Sequence, residues 1–349
     1  MILPKHRVFD ICGVGDADID IMVAVKDFPD RGQKSSGRIL GKYPGGMVAN
    51  LLASASSMGA KCCGILCVGD DEFGRISLDD LKKRGVDVSS SVIRKGADTY
   101  FTTNCIAPDG EKRMILCFGD AIYPTPDEVS EERIASSKIC QMTGSHISLS
   151  IPVARMAKKH GTLVSLDLER LNKAMSDGDK KTLLSLSDIV FPNEEGLFSY
   201  SGEKEIEKGA RKLLSMGPEI VVVTRGGNGA DLFTQTQHYH MPALADKVLD
   251  TTGAGDTFIG AFLASITREY DLKTCLSLAS AASAIQVGSV GWYTGSDYRW
   301  HDNGRSRVFR GKSYHIYEIH RSKSEKTGKN VGKTYLDGKL LGILHTWAV

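Results

Sequence analysis

The chain has no apolar run approaching the roughly 20 residues that a membrane span requires. Its first residues, Met1 to Arg7, lack the apolar core of a secretory leader, so the expectation is a cytoplasmic protein. No internal repeat is evident. Charge of either sign is not in excess either: the formal net charge is +2, which gives no reason to expect a nucleic-acid or membrane partner. Eight cysteines in 349 residues are not a disulfide framework. Most lie in apolar runs, such as Cys62, Cys63 and Cys67, or in expected strands, such as Cys105 and Cys117. None has a histidine at ligand spacing, so they read as buried, reduced thiols rather than a metal site.

What is present suits a large core. Apolar residues make up 41% and charged residues an ordinary 25%. The length fits one large α/β domain with an appendage, or two domains. The charge is uneven: from Ser296 onward there are 11 Lys/Arg against 5 Asp/Glu. That stretch has weak periodicity, and it reads as a basic extension over 296–349, poorly ordered or separately docked.

Before it, strand and helix patterns alternate. Apolar runs at Val8–Val14, Lys61–Val68, Ile139–Thr143, Leu163–Asp167, Ile189–Phe191 and Ile220–Thr224 predict buried strands, and Asp87–Ile93 a further strand. Helical spacing marks Met47–Met58, Glu72–Arg84, Pro152–His160, Lys180–Leu186, Glu205–Ser215, Thr257–Tyr270 and Leu272–Val287. Repeated βα units imply a mostly parallel central sheet with helices on both faces. Pro108-Asp109-Gly110 predicts a hairpin turn between Thr99–Ala107 and Glu111–Phe118. With a pair of strands around 19–42, this hairpin predicts a small separate sheet, a lid that keeps water from the ligand edge. The domain expected is therefore 1–295, with its lid from about 19–42 and 99–118.

The most informative stretch is Leu249 to Phe258. A turn of small residues, Gly253-Ala254-Gly255, runs directly into an apolar helix, with Asp256 at the junction. Helix N-termini leave backbone N–H groups unpaired, and glycines let an anion approach them. A carboxylate there can take a proton from an attacking hydroxyl while the N–H groups hold a phosphoryl group. The helix N-terminus favours the ionised form of Asp256.

Four ordered blocks then resemble the ribokinase-like carbohydrate kinases, the PfkB family, over roughly residues 6 to 292. They are Gly13 to Asp18, Pro44 to Asn50, Val68 to Gly74 and Asp250 to Asp256. The resemblance implies a sheet of about nine strands with a β lid, ATP as phosphoryl donor and Mg2+ as helper. It makes Asp256 the general base and Gly253, Ala254 and Gly255 the anion hole. Asp16, Asp18, Gly45, Gly46 and Asn50 would hold the substrate, Asp16 being equally readable as a turn-former. Asp70 and Asp71 read as caps of the next helix. Arg170 is the candidate for an acidic or phosphorylated substrate. Thr224, Gly226 and Gly229 look like the nucleotide loop, and Asn193 like the start of the block that organises Mg2+ and phosphate. In relatives that block has a Glu three residues on; here the position is Gly196. Asp250 and Thr252 match positions that hold a monovalent cation, K+, in several relatives.

The expected substrate is a sugar or sugar-like small molecule, and a homodimer through the lid is expected. A nucleoside kinase and a catalytically silent sugar- or nucleotide-binding protein remain open alternatives. The Thr327–Thr334 stretch resembles a Walker A loop, but its glycine lies one residue late and no apolar strand precedes it.

Overall fold

The computed structural model describes residues 2–169 and 175–288, and beyond these the backbone of five strands between 299 and 345. The chain begins with β1 (Phe9–Asp16), β2 (Asp18–Val25) and β3 (Gly37–Gly45), then α1 (Met47–Ser57) and β4 (Cys62–Gly69). Next come α2 (Glu72–Lys83), β5 (Val92–Arg94), β6 (Phe101–Ile106) and β7 (Lys112–Cys117). The middle of the chain alternates: α3 (Glu131–Ala135), β8 (Ser137–Thr143), α4 (Ile147–Lys159), β9 (Leu163–Leu168), α5 (Asp177–Ser185), β10 (Ile189–Pro192). It continues through α6 (Glu194–Ser201), α7 (Ile206–Leu214), β11 (Ile220–Thr224), β12 (Ala230–Phe233) and β13 (His238–Met241). Two long helices follow, α8 (Ala254–Ile266) and α9 (Leu272–Val287).

Nine strands form the central sheet in the order β13-β12-β11-β10-β9-β8-β1-β4-β5. All neighbours are parallel except β11–β12 and β12–β13. Because both faces are covered, the central strands are apolar throughout; all eight residues of β4 are buried. Alternate residues of β1 enter two separate cores. Ile11 joins the one under α1, α2, α8 and α9, while Cys12 and Val14 join the one under α3, α4, α5 and α7. Four more strands, β3-β2-β6-β7, form the lid, with β2 and β6 parallel and the two outer pairs antiparallel. Asp71 caps α2 through the Gly74 N–H at 2.8 Å, as its position before an amphipathic helix predicts.

Several boundaries differ from the sequence reading. Strand pairing after α2 is confined to Val92–Arg94, with Asp87 making one isolated bridge to Cys63. Helix α4 starts at Ile147, five residues before Pro152, which the helix carries in its interior. Helix α8 starts at Ala254 and ends at Ile266, earlier at both ends than Thr257–Tyr270. The antiparallel pair β12 and β13 was not legible, since each strand has only four residues. Beyond 295, Arg299–Asp302, Ser306–Arg310 and Ile316–His320 form a three-stranded sheet, and Val331–Leu336 pairs with Lys339–His345. The lysine-rich decoy therefore runs into a strand from Val331; its residues up to 330 lie outside the described residues. Of the eight thiols, all free, six are buried, and Cys105 and Cys117 in the lid are half-buried. Among the described residues no helix is long and apolar enough to cross a membrane.

Helices α1 and α8 lie against each other with unusual closeness. Ser54 Oγ donates to the Thr257 carbonyl at 2.9 Å. At Gly260 an added Cβ would fall well inside contact distance of the Leu51 carbonyl oxygen and 2.8 Å from Ser54 Cβ. On an isolated helix, Gly→Ala stabilises by about 1 kcal/mol. Here the sign reverses: Gly260→Ala is expected to destabilise by about 1–3 kcal/mol through overpacking. Urea unfolding checks it, and a gain in stability would refute this packing.

Candidate active site

The parallel strands deliver their C-terminal ends to one edge of the sheet, under the lid. A cavity of about 880 Å³ opens there. Its walls include Asp16 from β1, Asp18 and Asp20 from β2, Gly46 and Asn50 from the start of α1, and Asp167 and Glu169 from the end of β9. The loop into α8 and the helix's first turn add Thr251, Thr252, Gly253, Gly255 and Asp256, and the lid adds Tyr100, Thr102, Lys112, Met114 and Leu116.

Asn50 Nδ2 donates to Asp256 Oδ2 at 2.8 Å, joining α1 to the first turn of α8. Burial pushes the Asp256 carboxyl up to about 8; the Asn50 hydrogen bond opposes this, and the charges of Asp16, Glu169 and Asp20 add to it. The expectation that the helix N-terminus holds Asp256 ionised is thus corrected: crowding by other carboxylates and desolvation outweigh the dipole. Burial and the neighbouring Asp20, Asp16 and Asp256 push Asp18 well above its ordinary value. Burial likewise raises Asp167, Glu169, Asp20 and Asp16. Asp18 Oδ1 and Asn50 Oδ1 are buried acceptors with no hydrogen-bond partner among the described residues. Both belong to residues on the cavity wall.

Not every expected residue faces the cavity with a free group. Both Asp16 oxygens accept backbone N–H groups, of Met47 and Val48, each at 3.1 Å, so this side chain caps α1 from a neighbouring strand. Gly45 is not on the wall: an added Cβ would overlap Asp18 Oδ1 and come within 2.8 Å of Asp20 Oδ2, so its role is to make room for those carboxylates. Asp20 was not singled out; Thr102 Oγ1 and Asn104 Nδ2 in the lid both donate to it. Asn193 Oδ1 caps α6 through the Gly196 N–H at 2.7 Å. At Gly196 a side chain would overlap the Leu168 carbonyl oxygen, so this backbone has no space for a Glu at that position. Arg170 lies outside the described residues.

A second cavity, about 420 Å³, lies on the other side of the α8 loop. Thr224, Gly226 and Gly229 line it, with Gly227. Residues the sequence did not flag complete it: Pro242 to Ala245, Val248, Ser280, Ala284 and Val287. Ser280 Oγ is buried without a partner among the described residues. Thr224, Thr251 and Gly255 line both cavities, so the two meet at the N-terminus of α8. There Gly253 caps the helix at φ 69°, a left-handed conformation natural to glycine. The first-turn N–H groups of Gly255 and Asp256 lack intrahelical partners. The Ala254 N–H, by contrast, already donates to the Thr251 carbonyl at 3.2 Å. Nothing lies within 4 Å of a Cβ placed on Gly255, so the cradle is open.

The raised Asp256 carboxyl has a stability consequence. Its proton is retained in the folded state up to about pH 8 but lost in the unfolded state near 4, so its contribution falls as pH rises between these values. Asp256→Asn removes that loss. The variant is expected to melt above the wild type at pH 8, with the gap closing toward pH 4 in a thermal-shift series. A gap that is constant with pH would contradict the assignment.

The comparisons with known proteins agree with this geometry. The chain matches the family described as pfkB family carbohydrate kinase across residues 8–298. It is 27% identical over 281 residues to an ATP-dependent ribose-1-phosphate kinase of Halopiger xanaduensis, covering 80% of this chain and 93% of that one. It is 32% identical over 269 residues to a 2-dehydro-3-deoxygluconokinase of Thermoproteus tenax, covering 72% and 81%. The solved structure of Arabidopsis thaliana ribokinase complexed with ribose and ATP superimposes with a TM-score of 0.71 at 26% identity, covering 82% of this chain and 95% of that one. With the sheet order, the lid and the Asp256 helix already in place, these matches make the chain a member of the PfkB family of carbohydrate kinases.

Proposed function

We propose that this kinase transfers the γ-phosphoryl group of ATP to a hydroxyl of a neutral, hydroxyl-rich sugar or sugar alcohol. One observation carries the reading: the two cavities meet at the N-terminus of α8, where Asp256 and the open N–H groups lie together. The smaller cavity, walled by glycines and small apolar side chains, suits a nucleotide whose phosphates point to the junction. The larger suits the acceptor. Its described walls carry six carboxyl groups, of Asp16, Asp18, Asp20, Asp167, Glu169 and Asp256, against the one ammonium of Lys112. A sugar phosphate or sugar acid would find one ammonium as counter-charge there, and that one is bonded to Thr252.

In this reading the acceptor hydroxyls bond the Asp18 carboxyl and the Asn50 side chain, both on the cavity wall. Asp256 accepts the proton of the attacking hydroxyl, and Asn50 holds its carboxylate in place. The N–H groups of Gly253, Gly255 and Asp256 stabilise the transferring phosphoryl oxygens. The lid residues Met114 and Leu116 cover the acceptor and exclude water, the competing nucleophile. Mg2+ bound with the nucleotide would neutralise phosphate charge. Among the described residues no three or more His, Cys, Asp or Glu converge as an all-protein metal cage. Mg2+ sites usually take one or two carboxylates plus phosphates and water, and the hard oxygens of Glu169 and Asp167 fit that role. Exposed apolar residues of the lid, Ile39 and Ile115 among them, support its expected use as the contact between two copies of the chain.

A coupled assay with ATP against sugars, sugar alcohols, sugar phosphates, sugar acids and nucleosides tests the acceptor class; preference for an anionic acceptor would overturn the neutral assignment. Asp256→Asn is expected to lower kcat by about 10²–10⁴-fold, the usual worth of a general base, while ATP binding by calorimetry survives. Because the base acts ionised, kcat/KM of the wild type should rise with pH to a plateau above about 8. A chain ending at Gly295 keeps the central sheet, lid and both cavities, and it is expected to unfold cooperatively and to turn over. Loss of either would place a necessary element in the extension.

A further inference from the structure

The atoms expected to hold K+ are already engaged. A cation site needs oxygens whose lone pairs are free to converge. Here Asp250 Oδ1 accepts the Thr252 N–H at 3.0 Å and the Thr252 Oγ–H at 2.7 Å. The Thr252 carbonyl accepts Gln286 Nε2 at 3.1 Å, from a side chain with no exposed surface near the end of α9. Lys112 Nζ, at the start of the lid strand β7, donates to Thr252 Oγ1 at 2.6 Å and lies 4.0 Å from Asp250 Oδ1. Two donors from distant parts of the chain therefore fill the neighbourhood of Asp250 and Thr252, and one of them carries the same single positive charge as K+. The Asp250–Thr252 pair does not fit a monovalent ion in this arrangement.

We propose that Lys112, with Gln286, replaces the monovalent cation, so that this kinase is independent of K+ and orders its anion cradle with an ammonium delivered by its own lid. Thr252 immediately precedes Gly253, the cap of α8. Fixing its hydroxyl and carbonyl fixes the turn that aims the Gly253, Gly255 and Asp256 N–H groups. The charge sits 27% exposed beside an Asp250 that is 13% exposed, so it is only partly screened. Because Lys112 belongs to the lid, the cradle is complete only while the lid lies over the acceptor, which couples exclusion of water to assembly of the phosphoryl site. Lys112 is then a positioning residue: it acts through Thr252 rather than on the acceptor. The inference rests on the kinase reading above.

The test compares wild type and Lys112→Ala in KCl and in tetramethylammonium chloride at matched ionic strength. Wild-type rates are expected to be equal in the two salts, and K+ is expected to give no specific rise in melting temperature. Lys112→Ala is expected to lose roughly tenfold in kcat at unchanged KM for the acceptor, equivalent to about 1.4 kcal/mol in the barrier. Methylammonium or K+ should restore part of the loss, and Lys112→Arg should retain most of the rate. Stimulation of the wild type by K+ overturns the proposal. So does a rise in acceptor KM at unchanged kcat, which would make Lys112 a substrate ligand, or a loss that no small cation repairs. A wild type that phosphorylates no acceptor in either salt would instead sink the kinase reading; the K+ melting series still decides this one.

Discussion

The close approach of α1 and α8 is the constraint on which the rest of the site depends. Each helix starts at the ligand edge of the sheet, and each brings its N-terminus to the same cavity. Gly260 lets the Leu51 carbonyl come against α8, Ser54 bonds the Thr257 carbonyl, and Asn50 reaches Asp256. The block holding Gly46 and Asn50 is thereby locked in register with the block holding Gly253 and Asp256, although some 200 residues separate them. Asp16 secures the other end of the arrangement by capping α1 from β1. A side chain equally readable as a substrate ligand or a turn-former thus sets the position of those that face the cavity.

Function here works against stability. Six carboxyl groups share one cavity; burial raises every one of them, and repulsion from the others adds to it for Asp18, Asp167, Glu169 and Asp256. A fold selected for stability alone would not gather them. The cores on both faces of the sheet offset that cost with continuous apolar packing. The lid adds polar partners where they matter, through Thr102 and Asn104 on Asp20.

The departures from the family pattern have local physical reasons. Gly196 has no room for a carboxylate because the end of β9 runs across it, and Glu169, one residue beyond that strand, lines the cavity. Asp250 and Thr252 keep the family residue types, yet their oxygens are bonded within the chain. In the proposal above, residue identity at the motif does not decide whether an ion is held there; the neighbours do, and these come from the lid and from α9.

The sequence by itself determined the α/β class, most buried strands and helices, the lid hairpin and the Asp256 junction. Each of these is written in local signals: continuous apolar runs, helical spacing, a Pro-Asp-Gly turn, and small residues opening a helix. Thr224, Gly226 and Gly229, which resemble the family's nucleotide loop, line the smaller cavity. Short elements such as β12 and β13 were not legible, because four residues carry too little periodicity to stand out. Tertiary structure alone decided which polar atoms face the ligand cavity and which are consumed. It turned Asp16 and Asn193 into caps, Gly45 into a spacer, and Lys112 into a neighbour of Thr252. The reason is physical: a hydrogen-bond donor or acceptor is defined by what lies within about 3 Å of it. In a parallel sheet those neighbours come from strands and loops far apart in the chain.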